Sequence, residues 1–271
     1  MAEPEQARLV AQIRAWCHED PIRRSRFAWL LSMDERRDPP WPYGGLWFDR
    51  GGAALADLSP HPEYGTHLDN RLPWFQAAGE EWLPLLRLLD QRLPAECEVL
   101  ADEVAREVLE SLGTVEPTGS LSVRACAPGE LTGHARPVPA VRLTSADRAL
   151  VAADDWRPED LDRETDEHQD GVRWAIIERR QIICRLIVQP ISEGLAEISD
   201  VHTHPDHRRQ GLGAGLVAHV LRRLHDEGST ATYSVHPSNF ASICLASSLG
   251  FTERFIWERY WLRREVDGGD E

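Results

Sequence analysis

A β-rich run that passes through a glycine-containing turn directly into a helix is the feature that most limits what this chain can fold into. It lies in the segment AEISDVHTHPDHRRQGLGAGLVAHVLRRL, where apolar residues recur at helical spacing from Leu216 onwards. Glycine at Gly211 and Gly213 lets backbone amides approach an anion closely, and the N-terminus of the following helix points unpaired N–H groups at it. The segment therefore predicts a pyrophosphate-binding site. The alternative is an ordinary glycine-rich turn between a strand and a helix.

The turn does not match two common nucleotide-binding motifs. It lacks the Gly-Lys-Ser/Thr of a P-loop, and its third glycine, Gly215, comes one residue too early for the G-x-G-x-x-G pattern. If it binds a phosphate, it does so in another structural context.

The elements around the turn predict the fold class. Three β-rich runs at 172–178, 182–190 and 195–202 are separated by short turns, which is typical of an antiparallel meander. The helix after the glycine turn is followed by a strand at 231–235, a helix from about 239 to 249 and a strand at 255–262. This order predicts an α/β protein of the α+β type, with helices packed on a mixed, mostly antiparallel sheet.

Composition excludes several classes of protein. The net charge of −15, with all basic residues being arginine, argues against a general nucleic-acid binder. Five cysteines without C-x-x-C spacing predict neither a disulfide framework nor a zinc cluster. The absence of a signal peptide and of a long apolar run predicts a cytoplasmic protein that does not act at a membrane.

Two blocks of the second half carry a family resemblance. Arg208, Gly211 and Gly213 fill the fixed places of Arg/Gln-x-x-Gly-x-Gly/Ala, which resembles motif A of the GNAT superfamily of acyl-CoA N-acyltransferases. The block from Asn239 to Phe251 resembles motif B, an Asn-led helix that ends in Leu-Gly-Phe. The resemblance covers roughly 138–265 and implies a GNAT fold with acetyl-CoA as co-substrate and no metal.

The resemblance also implies which residues hold acetyl-CoA. Amides of the turn would bind the pyrophosphate, the backbone at the end of the preceding strand would pair with the pantetheine arm as an added strand does, and the leading residue of motif B would contact the pantetheine region. The implied residues are Val201, Thr203, Arg208, Arg209, Gln210, Gly211, Leu212, Gly213, Ala214 and Asn239.

Acetyl transfer needs a neutral amine, because a protonated nitrogen has no lone pair. Glu197, on the strand before the turn, resembles the glutamate base of the histone-acetylating branch, and His202 and Asp200 are second candidates. Strand alternation predicts that the odd-numbered residues 197–203 share one face. The alternative is that Glu197 lies on a solvated sheet face. The three histidines at 202, 204 and 207 invite a metal hypothesis, which we set aside because no carboxylate or cysteine stands at the usual spacing.

The family's tyrosine acid is missing. Ala246 stands in its place on the motif B helix, so Tyr260, Tyr233 or water would have to protonate the departing thiolate, which is also a tolerable leaving group without an acid. A backbone amide near Val201 is expected to stabilise the oxyanion. Cys244 on the same helix is expected to be a buried core thiol and not an acetyl carrier.

The first half resembles a degenerate copy of the second. The order strand, helix, Ser-Leu-Gly, strand occurs around Gly113 and again around Gly250, whereas the glycines near Gly79 lack an Arg-x-x-Gly-x-Gly run. The alternative is an unrelated α/β domain with a chance match. We predict a GNAT-like N-terminal domain at 1–127 that does not bind CoA, a linker at 128–137 and a GNAT N-acetyltransferase domain at 138–265.

The predicted function is an N-acetyltransferase that moves an acetyl group from acetyl-CoA directly to a primary amine in a ternary complex. The acceptor is a small molecule or a peptide, and an acidic protein suits a cationic amine. Two alternatives stay open, namely an acyl-CoA-binding module without catalysis and a transferase for a longer acyl chain. A homodimer is left open as well.

Overall fold

The computed structural model describes residues 3–35, 45–58, 73–133, 135–151 and 171–264. Parts of both predicted domains, at 36–44, 59–72 and 152–170, lie outside the described residues. By its internal contacts the chain divides into two units. The first holds 1–20, 39–121 and 256–271, and the second holds 21–38 and 122–255.

The helices are α1 (Glu3–Glu19), α2 (Ser25–Glu35), α3 (Trp82–Arg92), α4 (Glu103–Leu112), α5 (Arg148–Val151), α6 (Leu212–Asp226) and α7 (Phe240–Ser248). The strands are β1 (Gly45–Asp49), β2 (Ala53–Asp57), β3 (Trp74–Gly79), β4 (Glu96–Ala101), β5 (Gly113–Cys126), β6 (Ala140–Arg142), β7 (Val172–Glu178), β8 (Gln181–Ser192), β9 (Leu195–Thr203), β10 (Thr230–Val235) and β11 (Thr252–Arg264). Every helix and strand predicted in the second half around the glycine turn is confirmed.

The first unit is built on the strand order β1-β2-β3-β4-β11. All neighbours are antiparallel except β3 and β4, which run parallel. Apolar residues of α3 and α4 recur three and four positions apart, as in Ala105, Val108 and Leu109, and they pack on one face of this sheet. Asp102 caps α4, because its carboxylate accepts a hydrogen bond from the amide of Ala105 at 2.9 Å.

The second unit has the strand order β5-β10-β9-β8-β7-β6, and again a single pair, β9 with β10, is parallel. The meander predicted over β7, β8 and β9 is confirmed. Its first hairpin turns through Arg179 and Arg180, both with positive φ, and its second through Gly194. Helix α6 buries Leu216, Leu221 and its other apolar residues against this sheet.

Contacts divide the chain differently from the linear domain bounds, which stay a prediction. Residues 122–126 of β5 belong to the second unit, and residues 256–264 of β11 belong to the first. The predicted linker lies within the second unit, where the chain just after it packs on α6. A Cβ at Gly215 would lie 2.4 Å from Cγ1 of Val138, so only glycine allows this approach. A mixed, mostly antiparallel sheet with helices on it, as predicted, is present in each unit.

Candidate functional site

The glycine turn connects β9 to α6 through a short 3₁₀ turn at Pro205–His207. Two of its residues, Arg209 with φ 58° and Gly211 with φ 77°, adopt the left-handed backbone conformation. Left-handed residues that alternate with residues of other backbone conformations curl the chain, so that successive N–H groups point into one concave surface. A Cβ at Gly211 would meet nothing within 4 Å, so glycine is favoured there by its φ and not by crowding.

Six consecutive amides, those of Arg209 to Ala214, have no backbone acceptor within the described part of the chain. The first amide that is used again is that of Gly215, which donates to the carbonyl of Gly211 at 2.9 Å. These amides lie at the positive end of the α6 dipole. The turn therefore has the hydrogen-bonding capacity and the charge to hold a di-anionic group.

A pocket of about 510 Å³ opens beside the turn. All of the residues predicted to bind acetyl-CoA line it except Gln210, whose side chain instead donates to the carbonyl of Asp206 at 3.4 Å. His202 lines it as well. Sequence reasoning missed four more lining residues, three of which lie on α7 within the motif B block: His207, Ala241, Ser242 and Leu245.

Three further contacts shape the pocket wall. Arg208 donates from Nε to the carbonyl of Thr203 at 3.0 Å, so this motif A arginine braces the turn against the end of β9. A Cβ at Gly213 would lie 3.1 Å from Cδ1 of Leu245, which explains why α6 can start this close to α7. Asn239 caps α7 by accepting from the amide of Ser242 at 3.2 Å.

β9 separates from its parallel neighbour inside the site. Its pairing with β10 ends at Glu197 and Thr232, although both strands continue beyond these residues. The end of β9, with Val201 and Thr203, is therefore free of β10 and borders the pocket.

A β-bulge interrupts β9 after Ser199. Ser199 and His202 pair with β8 residues only two positions apart, so Asp200 and Val201 both stand opposite Leu186. Asp200 takes a left-handed φ of 48° to accommodate the extra residue. One inserted residue reverses the alternation of side chains along the rest of the strand.

The expectation that the odd-numbered residues of β9 share one face is therefore wrong beyond the bulge. Thr203 pairs with Cys184, and its hydroxyl lies 3.3 Å from that thiol, which belongs to the core under α6. His202 and Glu197 both pair with odd-numbered residues of β8, whereas Thr203 pairs with an even-numbered one. His202 and Glu197 therefore point to the same face of the sheet, opposite to that of Thr203. The bulge brings His202 and Glu197 to the same side of the strand.

Comparisons with known proteins agree with this geometry. Residues 179–262 match the family model described as FR47-like protein. A ribosomal protein bS18 alanine N-acetyltransferase of Escherichia coli K12 is 39% identical over 67 residues, which are 24% of this chain and 45% of that protein. The chain thus spans about half the length of the curated relatives that it matches.

Two solved structures extend the likeness to nearly the whole chain. A GCN5-related N-acetyltransferase from Kribbella flavida superposes with a TM-score of 0.54 at 18% identity, covering 90% of this chain and 96% of that one. A GNAT acetyltransferase from Colwellia psychrerythraea gives 0.56 at 9% identity, covering 81% and 84%. The chain has the GNAT fold.

Within this GNAT fold, Glu197 is buried, with 6% of its surface exposed, so the alternative of a solvated sheet face is wrong. Its carboxylate has no hydrogen bond or ion pair to any residue that the structure describes. His202 is exposed at the pocket, and Asp200 forms an ion pair with Arg185, whose Nε lies 3.4 Å from Oδ2.

The two tyrosines that were candidates for protonating the departing thiolate are not among the residues that line the pocket. Tyr260 belongs to the core of the first unit, where its hydroxyl donates to the carboxylate of Glu258, and burial raises its pKa. Tyr233 is buried in the second unit, and burial raises its pKa while the side chain of Ser242 partly offsets the rise. Ala246, at the place of the family tyrosine, is fully buried.

Two remaining expectations concern sulfur and metal. Cys244 is exposed, so the expectation of a buried core thiol is wrong, since that side of α7 faces away from the sheet. In the ranges that the structure describes, no three His, Cys, Asp or Glu side chains are placed to hold a metal ion. In the same ranges no helix is long and apolar enough to cross a membrane.

Proposed function

We propose that this chain is an acyltransferase that moves the acetyl group of acetyl-CoA directly to an amine in a ternary complex. The observation that carries the proposal is the run of six amides from Arg209 to Ala214, without an acceptor in the described residues, at the edge of the 510 Å³ pocket. A pyrophosphate supplies the acceptor oxygens and the negative charge that this turn favours.

The rest of the cofactor follows the pocket. The pantetheine arm is proposed to lie along the end of β9, where Val201 and Thr203 have lost β10 as a neighbour and their backbone groups can pair with an amide-containing chain. Asn239 uses its carbonyl oxygen to cap α7, which leaves its NH₂ group for the same arm.

The proposed reaction is attack of the amine nitrogen on the thioester carbon, which forms a C–N bond and breaks the C–S bond. The nitrogen loses a proton, and Glu197 is the proposed base, directly or through a water. Glu197 is buried at the point where β9 separates from β10. His202 is the second candidate, because the bulge places it on the same face.

Charge on the carbonyl oxygen needs a donor close to the splayed strand. The bulge interrupts the ladder at Asp200 and Val201, and the amide near Val201 is the proposed donor. The thiolate of CoA is proposed to leave without a tyrosine acid, since Ala246 is buried and Tyr260 lies in the other unit's core. A thiol pKa of about 8.5 makes such a leaving group tolerable.

The acceptor is proposed to be a cationic amine or a peptide amine, which suits the net charge of −15. One relative is named for acting on an alanine of ribosomal protein bS18, so a peptide with N-terminal alanine belongs among the candidates. The proposed compartment is the cytoplasm, where the five free cysteines would stay reduced.

The test is a thiol-release assay with acetyl-CoA over a panel of polyamines, aminoglycosides and peptides, with acetyl-CoA affinity measured by calorimetry. Turnover on at least one amine supports the proposal. Affinity without turnover on any amine would favour an acyl-CoA-binding module. Faster turnover with a longer acyl-CoA on the same amine would favour a transferase for that chain.

A further inference from the structure

The sheet of the first unit has one apolar face and one polar, aromatic face. Residues such as Phe75, Val99 and Leu262 point towards α3 and α4 and form the apolar core. Their sequence neighbours on β3, β4 and β11 point to the opposite side. That side carries Trp74, Gln76, Glu98, Arg259 and Trp261, which we call the polar–aromatic patch.

The register of the strands places these side chains next to one another. Trp261, Glu98 and Trp74 occupy one row across β11, β4 and β3. Arg259 and Gln76 occupy the next row, on either side of a leucine. Because strands lie about 4.8 Å apart and rows on one face about 6.8 Å apart, the patch is about 10 Å across.

Four polar atoms of the patch are buried and lack a hydrogen-bond partner in the part of the chain that the structure describes. They are Nε2 of Gln76, Oε2 of Glu98, Nε of Arg259 and Nε1 of Trp261. Gln76 is 2% exposed and Glu98 is 7% exposed. Buried polar groups in native proteins are nearly always hydrogen-bonded, so four of them together indicate a partner outside the described residues.

The chemistry of the four atoms describes that partner. Three are donors, from Gln76, Arg259 and Trp261, and one is the carboxylate acceptor of Glu98. The two charges are opposite, so a ligand that complements them carries one positive and one negative group. The guanidinium of Arg259 lies 5.7 Å from the ring centroid of Trp74, which positions it within the patch.

We propose that the polar–aromatic patch binds a small zwitterion of the α-amino-acid type. Its ammonium group pairs with Glu98, and its carboxylate accepts from Arg259, Trp261 and Gln76. The site goes beyond the proposed acetyl transfer, since it belongs to the unit without the glycine turn.

The experiment follows the indole N–H resonance of Trp261 in the ¹⁵N-labelled full chain, assigned with Trp261→Phe, without CoA. L-leucine is titrated against L-leucinamide, which lacks the carboxylate, and N-acetyl-L-leucine, which lacks the ammonium. We expect a saturable shift with L-leucine and binding about tenfold or more weaker for both analogues. Equal shifts with all three, or none with L-leucine, would overturn the proposal.

A matched pair of variants sharpens the test. Glu98→Gln should weaken L-leucine binding about tenfold or more, because it removes the charged acceptor. Glu107→Gln, on the exposed side of α4, should leave it unchanged. If Glu98→Gln fails to fold, the comparison of the three ligands on the unaltered chain still decides.

Two other outcomes would count against the site. If a folded Glu98→Gln variant bound L-leucine with wild-type affinity, the proposed contact between the ammonium group and Glu98 would be wrong. A crystal structure grown with L-leucine in which ordered waters alone satisfy the four atoms would overturn the assignment. Since CoA is absent throughout, failure here leaves the proposed acetyl transfer untouched, and failure of acetyl-CoA binding leaves this result untouched.

Discussion

The two units contain the same sequence of strand, turn and helix, with opposite chemistry in the turn. In the second unit, β9 leads through Gly211 to α6 and leaves six amides without backbone acceptors among the described residues. In the first, β3 leads through Glu80 and Glu81 to α3. There the amide of Glu80 donates to Gly52 at 3.1 Å, and that of Gly79 lies 3.4 Å from the carboxylate of Asp102. The two turns therefore differ in their unpaired amides and not in the order of elements, and the proposed anion site is the turn whose amides are unpaired.

The parallel strand pairs differ in the same way. β3 and β4 stay paired from Trp74 and Glu98 to Ala77 and Ala101, whereas β9 leaves β10 after Glu197. Of these two parallel pairs, the one that separates within its strands borders the pocket beside the glycine turn. Substitutions in each unit test whether these differences set the properties of the two turns.

The largest effect is expected for Gly211→Asp. Its side chain would need a left-handed φ and would place a negative charge among the amides, so acetyl-CoA affinity should fall about 100-fold or more. Calorimetry measures the change. Gly119→Asp in the first unit, also in open space but without a positive φ, is the control and should bind normally. Unchanged affinity in the Gly211 variant would remove the distinction between the turns.

Glu197→Gln should lower turnover about 100-fold while sparing acetyl-CoA affinity, because the proposed base is lost and the proposed pyrophosphate site is unchanged. The deficit should be greatest below the pKa of the amine, where the base has a proton to remove. Steady-state rates across pH measure it. Glu193→Gln, on the exposed turn before β9, is the matched control. Wild-type turnover at every pH would exclude Glu197 from the reaction.

Each unit has a helix whose first turn is capped by a side chain, α4 in the first unit and α7 in the second, and replacing the two caps tests their different roles. Asp102→Ala should lower the free energy of unfolding by about 1–2 kcal/mol and leave acetyl-CoA affinity unchanged, because this buried carboxylate caps a helix of the first unit. Asn239→Ala should cost about 0.5–1 kcal/mol and also weaken acetyl-CoA binding. Urea unfolding and calorimetry separate the two. Equal effects on affinity would contradict the proposed role of Asn239.

The bulge in β9 has no counterpart among the described pairs of β3 and can be tested through Asp200. Asp200→Ala should unfold about 1 kcal/mol more easily than Asp200→Gly, since both lose the ion pair with Arg185 but only glycine adopts the left-handed φ without strain. Urea midpoints measure the difference. The reverse order would show that φ does not limit stability at this position.

The smallest effect concerns the thiols. Burial raises the pKa of Cys97 to about 12 and that of Cys126 to about 11, whereas Cys244 is exposed. A thiol reagent near neutral pH should therefore modify Cys244 quickly, and Cys244→Ser should remove that phase. The folded chain also keeps protons that an unfolded chain loses, so stability should fall as pH rises above about 9. Fast modification of Cys97 would contradict its burial.

The sequence alone was sufficient for the features that depend on near neighbours. Arg208, Gly211 and Gly213 predict the turn, since a left-handed glycine and a helix N-terminus are local properties of a few consecutive residues. Hydrophobic spacing predicted β7 to β9 and α6 in the right order. The GNAT fold and most of the lining of the pocket followed from these motifs.

Only the tertiary structure decided which side chains meet. Alternation along β9 placed Thr203 with Glu197, but the bulge, which depends on register with β8, brought His202 there instead. The exposure of Cys244 depends on which side of α7 faces the sheet. Residues 256–264 belong to the first unit because they pair with β4. Register, bulges and pairing are settled by residues distant in sequence, whereas turns and helix ends are settled by neighbours.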